Sequence, residues 1–320
     1  MSRSPTSRTI HVGISSCLLG KKVRYDGGHK RDPFVNDLLG LYVTWVPVCP
    51  EVEVGMGIPR EAVRLEGEAD RPRMIGGKTR KDYTRAMESF SRTRVRAIAG
   101  MGLSGYVLKA RSPSCGMERV KLYGASGPKG RARGIFARHL LEQMPHLPVE
   151  EEGRLNDPVL RENFVERVFC YRRWQDLLEG GLTRGKLSAF HAAHKYILLA
   201  HSPAHAAGLG RLVAGAKALT PARLAGRYAD LFFEALAHHT TRKRHVNVLQ
   251  HMAGFFKKTL SPGEKAELQE SIGDYHRGYT PLIVPVTLIR HFVRLHDVPW
   301  LRDQIYLNPH PKELALRNHV

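Results

Sequence analysis

The chain has 320 residues, 50 Lys+Arg against 30 Asp+Glu, and a formal net charge of +20. Apolar residues make up 42%, which excludes a disordered, collagenous or low-complexity chain because a core can be buried. No apolar run reaches the roughly 18 residues of a membrane span, and the length suits two domains.

MSRSPTSRTI at the start has no apolar stretch before a small-residue cleavage site, so no secretory signal and a cytoplasmic location are expected. HVGIS (11–15) then reads as a buried strand and YVTWVPV (42–48) as a second. The span 78–100 reads as a polar-faced helix with Ala86, Val95, Ile98 and Ala99 on its buried side. GYVLK (105–109) follows as a third strand. Two prolines, an acid run and an Asn-Asp-Pro turn at 145–158 mark a boundary.

Beyond it, a helix is expected from Pro158, closed by the Gly-Gly at 180–181. Amphipathic stretches follow at 186–201, 221–239, 241–260, 263–275 and 285–296. The expected architecture is an α/β N-terminal domain over 1–150, Rossmann-like with a mainly parallel sheet. An all-α helical C-terminal domain follows over 151–320. Charge is spread over both parts. Residues 1–150 carry 26 basic and 14 acidic residues, and the remainder carries 24 and 16, so the nets are +12 and +8. An extended basic surface suits a polyanion, nucleic acid before membrane.

Four cysteines are too few for a disulfide scaffold, and no pair has C-x-x-C spacing. Cys17, Cys49 and Cys115 each fall just beyond the carboxyl end of an expected strand, where open α/β sheets bind ligands. Three converging thiolates suit an iron–sulfur cluster with one open iron, or zinc with an open position. Three ordinary buried cysteines are the competing reading. Cys170 falls inside an expected helix and reads as core.

The segments SSCLLGKKVRYDGGHKR, VCPEVEVGMGIPRE and KARSPSCG together resemble the thiouracil desulfidase family, over roughly residues 9–145. FHAAHKYILLAHSP, RHVNVLQHMAGFFKK and QIYLNPHPKEL are similar to the helical domain often fused to it. The combination resembles fused desulfidases that act on 4-thiouridine in tRNA. That resemblance implies a [4Fe-4S] cluster on Cys17, Cys49 and Cys115, with a fourth iron free to bind a thiocarbonyl sulfur.

Replacing sulfur by the oxygen of water needs a proton acceptor and a donor. Glu51, two residues after Cys49, is the first choice for acid/base work, as base, acid or both, and Ser112 can hydrogen-bond substrate or water. Asp26 is a weaker candidate, since Asp-Gly-Gly is also a turn. Arg24, His29, Lys30 and Arg31 are candidate phosphate contacts. In the second part His191, His194, His201 and His205 share a helix face if the helix continues, with Pro203 expected to break it near His201. Packing, capping or RNA contact is preferred there to a metal. The stretch 238–258 reads as a helix with Val246, Val248, Leu249, Met252 and Phe255 as its apolar set. Arg242, Lys243, Arg244, Lys257 and Lys258 are its RNA-binding candidates.

The expected reaction is therefore removal of sulfur from 4-thiouridine in tRNA, or from a thiolated uracil nucleoside. No obligate protein partner is expected. A tRNA-thiolating enzyme using the open iron as sulfur carrier is an alternative, disfavoured because no G-x-x-x-x-G-K-[ST] loop is present. A non-catalytic RNA-binding protein is the other, and it leaves Cys-Pro-Glu and Ser-Pro-Ser-Cys unexplained.

Overall fold

The computed structural model describes residues 9–319. The chain divides between Asp157 and Pro158 into two compact units. In the first, β1 (His11–Ser15), β2 (Thr44–Val48), a short helix α1 (Pro50–Glu53), β3 (Val63–Gly67), β4 (Pro72–Gly76) and α2 (Thr84–Ala99) come in order. Then follow β5 (Leu103–Leu108), β6 (Val120–Gly124), β7 (Gly127–Ala132), α3 (Ile135–Gln143) and β8 (Val149–Glu151).

One sheet is wholly parallel, in the order β2-β1-β5-β8. Its central strands are near-continuous apolar runs because both faces are covered: Val12, Ile14, Val107 and Leu108 have no exposure. Gly13 pairs with Tyr106 across β1 and β5. A Cβ on Gly13 would sit 2.1 Å from the fully buried Tyr106 ring. Gly13→Ala therefore forces that ring aside and costs about 1–3 kcal/mol. A calorimetric melt checks this, and an unchanged Tm would contradict it.

The parallel sheet accounts for the three expected strands, but a second sheet was not legible. Its order is β4-β3-β6-β7, with β3–β4 and β6–β7 antiparallel and β3–β6 parallel. Leu65, Met74, Val120 and Leu122 of this sheet pack with Met87 of α2 and Ile135 of α3. Helix α2 begins six residues later than the expected span, and its buried side is Met87, Ser91, Val95 and Ile98. Ala86 and Ala99 are exposed. Strand β8 carries the parallel sheet through position 150, so the first unit runs on to Asp157.

The second unit is helical. It comprises α4 (Pro158–Glu179), α5 (Arg184–His201), α6 (Pro203–Ala214), α7 (Pro221–Ala237), α8 (Arg242–Ala253), α9 (Pro262–Arg277), α10 (Ile283–Leu295) and a final turn α11 (Pro299–Arg302). Ser-Pro or Thr-Pro opens three of these. Ser202, Thr220 and Ser261 accept from the backbone N–H three residues on, while Pro203, Pro221 and Pro262 take the first helical position. Helix α6 was not expected, because PAHAAGLGRLVA is rich in small residues. The helix expected over 241–260 stops at Ala253, and a 3-10 turn over Gly254–Phe256 swings Phe256 into the core while Phe255 stays exposed. Trp174 stacks on Tyr228 at 5.5 Å within that core, which also takes in Cys170. Among the described residues no helix is long and apolar enough to cross a membrane.

Candidate active site

Three neighbouring strands of the parallel sheet deliver the three cysteines. Cys17 follows β1 in a 3-10 turn over Ser16–Leu19, closed by Gly20 at φ +84°, whose N–H donates to the Cys17 carbonyl. Cys49 follows β2 and caps α1. Cys115 lies on the loop after β5, which Arg111 turns with φ +60°. All three line one cavity of about 390 Å³. The order β2-β1-β5 is what brings residues far apart in sequence to one edge.

The Cys115 loop is clamped from α3. The N–H groups of Ile135 and Ala137 donate to the carbonyls of Pro113 and Ser114. The close approach requires glycine at 134, where a Cβ would lie 2.5 Å from the Ser114 carbonyl oxygen. Ser114 Oγ donates to Cys115 Sγ at 3.6 Å, and the Ser112 hydroxyl accepts from the Cys115 N–H at 3.2 Å. Burial pushes the Cys17 thiol up to about 11 and the Cys115 thiol up to about 12, and it raises Cys49 as well. Sulfurs that resist ionising alone yet share one cavity fit a soft cationic group that displaces their protons.

Glu51 reaches into the same cavity from α1. Its Oε2 accepts from Arg60 Nη2 at 2.6 Å and Nε at 2.9 Å. Its Oε1 accepts from Ser114 Oγ at 2.8 Å and from Ser112 Oγ at 3.4 Å. Arg60 is anchored in turn, donating to the carbonyls of Val23 at 3.0 Å and Gly57 at 3.1 Å. The carboxylate is therefore fixed by a buried ion pair on one oxygen and by hydroxyls on the other. Ser114 is buried, whereas Ser112 is half-buried at the cavity wall. Lys109, also on the wall, pairs with Glu152, which additionally accepts from the Ala110 N–H.

Of the other sequence candidates, Arg24 and Lys30 line the cavity. Asp26 does not; it is exposed, accepts from the Gly28 N–H at 3.0 Å and pairs with Arg24, so it acts as the turn residue. Arg31 also lies outside, paired with Asp37, and His29 accepts from the Arg31 N–H. Sequence reasoning missed Arg60, Ser114 and Tyr25. Tyr25 is exposed at the cavity wall with Arg24 over its ring at 5.4 Å. The signals were present: an arginine after Ile-Pro, and a second serine flanking Pro113.

A family model described as 2-thiouracil desulfurase matches residues 12–152, and a second, a protein of unknown function (DUF1722), matches residues 195–311. Uncharacterized protein YbgA of Escherichia coli K12 is 32% identical over 153 residues, 48% of this chain and 90% of its own length. The chain belongs to the 2-thiouracil desulfurase family, joined to a DUF1722 domain. Uncharacterized protein YbbK of Bacillus subtilis 168 is 30% identical over 151 residues, 45% of this chain and 97% of its length. A solved structure described as the [4Fe-4S]-dependent thiouracil desulfidase TudS aligns at 25% identity over 47% of this chain and 95% of that one, with a TM-score of 0.39.

In this member of the desulfurase family, the helical unit puts its histidines to structural use. His191 contacts the Tyr228 hydroxyl at 3.2 Å, and His205 contacts Ser202 Oγ at 2.7 Å. His194 is buried against Phe190, and His201 contacts the His238 carbonyl and Glu166. Glu162, Glu166 and His310 bring possible ligand atoms within 4.8 Å of one another. Arg317, however, donates to Glu162 at 2.9 Å and to Glu166 at 2.5 Å, so this cluster already holds its own cation. Burial would raise Glu166, but Arg317 and His201 outweigh it and hold that carboxyl well below the ordinary range. At Glu162 burial prevails and pushes the carboxyl up to about 7.

Burial also pushes His194 and His245 down to about 3 and His310 to about 4. The unfolded chain takes protons on these rings below an ordinary value near 6.5, and the folded chain does not. Stability is therefore lost as pH falls from about 6.5 towards 3, at about 1.4 kcal/mol per pH unit for each ring. Glu162 acts oppositely between 4.5 and 7, so the net loss is steepest below about 4.5, where Glu166 adds to it. Urea midpoints measured from pH 7 to 3.5 check this; a flat profile contradicts it, and His194→Phe should shallow the slope.

Of the basic RNA candidates, Arg242 donates to the Tyr275 carbonyl at 3.1 Å, and Arg244 to the carbonyls of His201 at 2.7 Å and His239 at 3.2 Å. These two hold the fold. Lys243, Lys257 and Lys258 are exposed.

Proposed function

We propose that this chain is a [4Fe-4S]-dependent desulfidase that converts 4-thiouridine in tRNA to uridine, releasing hydrogen sulfide. The observation that carries the reading is that three cysteines and the Glu51–Ser112–Ser114 array line one cavity. Cys17, Cys49 and Cys115 would hold the cluster, which supplies a soft Lewis-acidic iron suited to a thiocarbonyl sulfur.

The protein's own residues then supply the rest. The balance is one water consumed and one hydrogen sulfide released, with no electrons transferred. Ser112 is placed to hydrogen-bond water or the pyrimidine ring and to pass a proton to Glu51 Oε1, with Ser114 as the inner hydroxyl. Arg60 fixes the carboxylate so that Oε1 faces those hydroxyls. Tyr25 offers a ring face for stacking an unpaired base, and Arg24, Lys30 and Arg111 offer positive charge for its phosphates. A base inside folded RNA must be turned out of its stack to enter. Exposed lysines of the helical unit supply further backbone contacts, and the net of +20 favours RNA over a free base. Free thiols throughout suit a reducing cytoplasm.

The test is anaerobic reconstitution of the full chain. Coloured, iron-containing protein is expected, with colour, iron and activity lost in Cys17→Ser, Cys49→Ser and Cys115→Ser but kept in Cys170→Ser. Thionucleoside content of bulk tRNA should fall on incubation without ATP, in a salt-sensitive manner. Activity on free thiouracil should not respond to salt. An iron-free protein, or a rise in thiolation, would refute the reading.

A further inference from the structure

A second cavity, of about 470 Å³, lies within the helical unit between α10 and the segment 307–318. One wall is a single face of α10, including Val286, Thr287, Arg290 and Arg294. The other carries Leu307, Leu316, Asn308, Lys312 and Glu313. The backbone ties the walls together, since the Ile283 N–H donates to the Arg317 carbonyl at 3.2 Å.

Among the described residues the charge on this cavity is not balanced. Elsewhere in the unit Arg172, Arg277, Arg302 and Arg317 each have a carboxylate partner. Arg317 borders the cavity, but Glu162 and Glu166 already neutralise it. Arg290 and Arg294 stand four residues apart on one helix face, a spacing at which like charges repel. Arg290 is half-buried, and burial together with Arg294 pulls its guanidinium below the ordinary value. Among the described residues, one carboxylate on the wall, Glu313, stands against these two and Lys312. A packed helix that keeps two such guanidinia side by side bears a cost that a bound anion removes.

The chemistry of the walls narrows the anion. Paired guanidinia present planar donor forks matched to phosphate oxygens. Val286, Leu307 and Leu316 add an apolar side on which a ribose or base can rest. We infer that this cavity binds a nucleotide, its phosphate on Arg290 and Arg294. The choice of a nucleotide over another phosphate ester rests on the RNA reading above, whereas the anion site itself does not.

Unmodified RNA separates the two questions, because its binding needs neither a thio group nor a loaded cluster. Fluorescence anisotropy of the full chain with a labelled single-stranded RNA is compared for wild type, Arg290→Gln/Arg294→Gln and the charge-matched Arg223→Gln/Arg227→Gln, two exposed positions of α7 away from this cavity. A parallel titration uses uridine 5′-monophosphate. At least a tenfold loss of affinity is expected in the Arg290/Arg294 variant and less than threefold in the Arg223/Arg227 variant. Loss in both titrations shows that a free nucleotide suffices; loss with RNA alone places the nucleotide within a strand. Equal loss in the two variants, or none in either, overturns the proposal. Arg294→Gln alone, at an exposed position, keeps the test valid should the double variant not fold.

Discussion

Glu51→Gln should lower turnover by about 10²–10⁴-fold, the range associated with loss of a positioned proton acceptor. The amide preserves size, and its oxygen can still accept from Ser112 and Ser114. What it cannot do is take up a proton or balance Arg60, whose side chain is only 5% exposed. Two consequences of one substitution must therefore be separated. If proton transfer is the main loss, kcat falls while thermal stability holds, and Glu51→Asp restores part of the rate. If Glu51 served only to anchor Arg60, thermal stability would fall together with turnover, and Arg60→Gln would reproduce the defect. Full turnover in Glu51→Gln would remove this residue from the chemistry.

Arg317→Met should destabilise the helical unit by about 3–5 kcal/mol, because it strands two buried carboxylates. Arg317 pairs with Glu162 and Glu166 and donates to the Tyr306 carbonyl at 2.6 Å. It joins the C-terminal segment to α4, so the loss also frees that segment. Denaturant unfolding followed by circular dichroism measures it. Adding Glu162→Gln and Glu166→Gln should recover part of the stability, since neutral amides leave no charge unpaired. A loss below about 1 kcal/mol, or a triple variant worse than the single one, would contradict this account.

Much of the cysteine arrangement was legible in sequence because each ligand candidate follows an apolar run that only a buried parallel strand explains. HVGIS needs no long-range information to be read. The second sheet was not legible for the opposite reason. VRLEG, PRMIG, VKLYG and GPKGRA mix charge and glycine, and β3 finds its parallel partner β6 more than fifty residues away. Glu51 could be singled out by its nearness to Cys49, but the groups that orient it come from other loops. Arg60 and Ser114 meet it only in three dimensions. Arg242 and Arg244 show the same limit. Their charge is visible in sequence, whereas the carbonyls they cap are not.

The wide separation of the three cysteines has a consequence for how the protein is made. Cys17 and Cys49 leave the ribosome well before Cys115, and β5 must pair with β1 before the third sulfur reaches the other two. Cysteines with C-x-x-C spacing could seize an ion as soon as they emerge. Here an emerging chain offers no such trap, so a group held by all three sulfurs would enter only after the parallel sheet has closed. Loading of such a group would then be a late event, and a holoprotein would report a correctly assembled sheet.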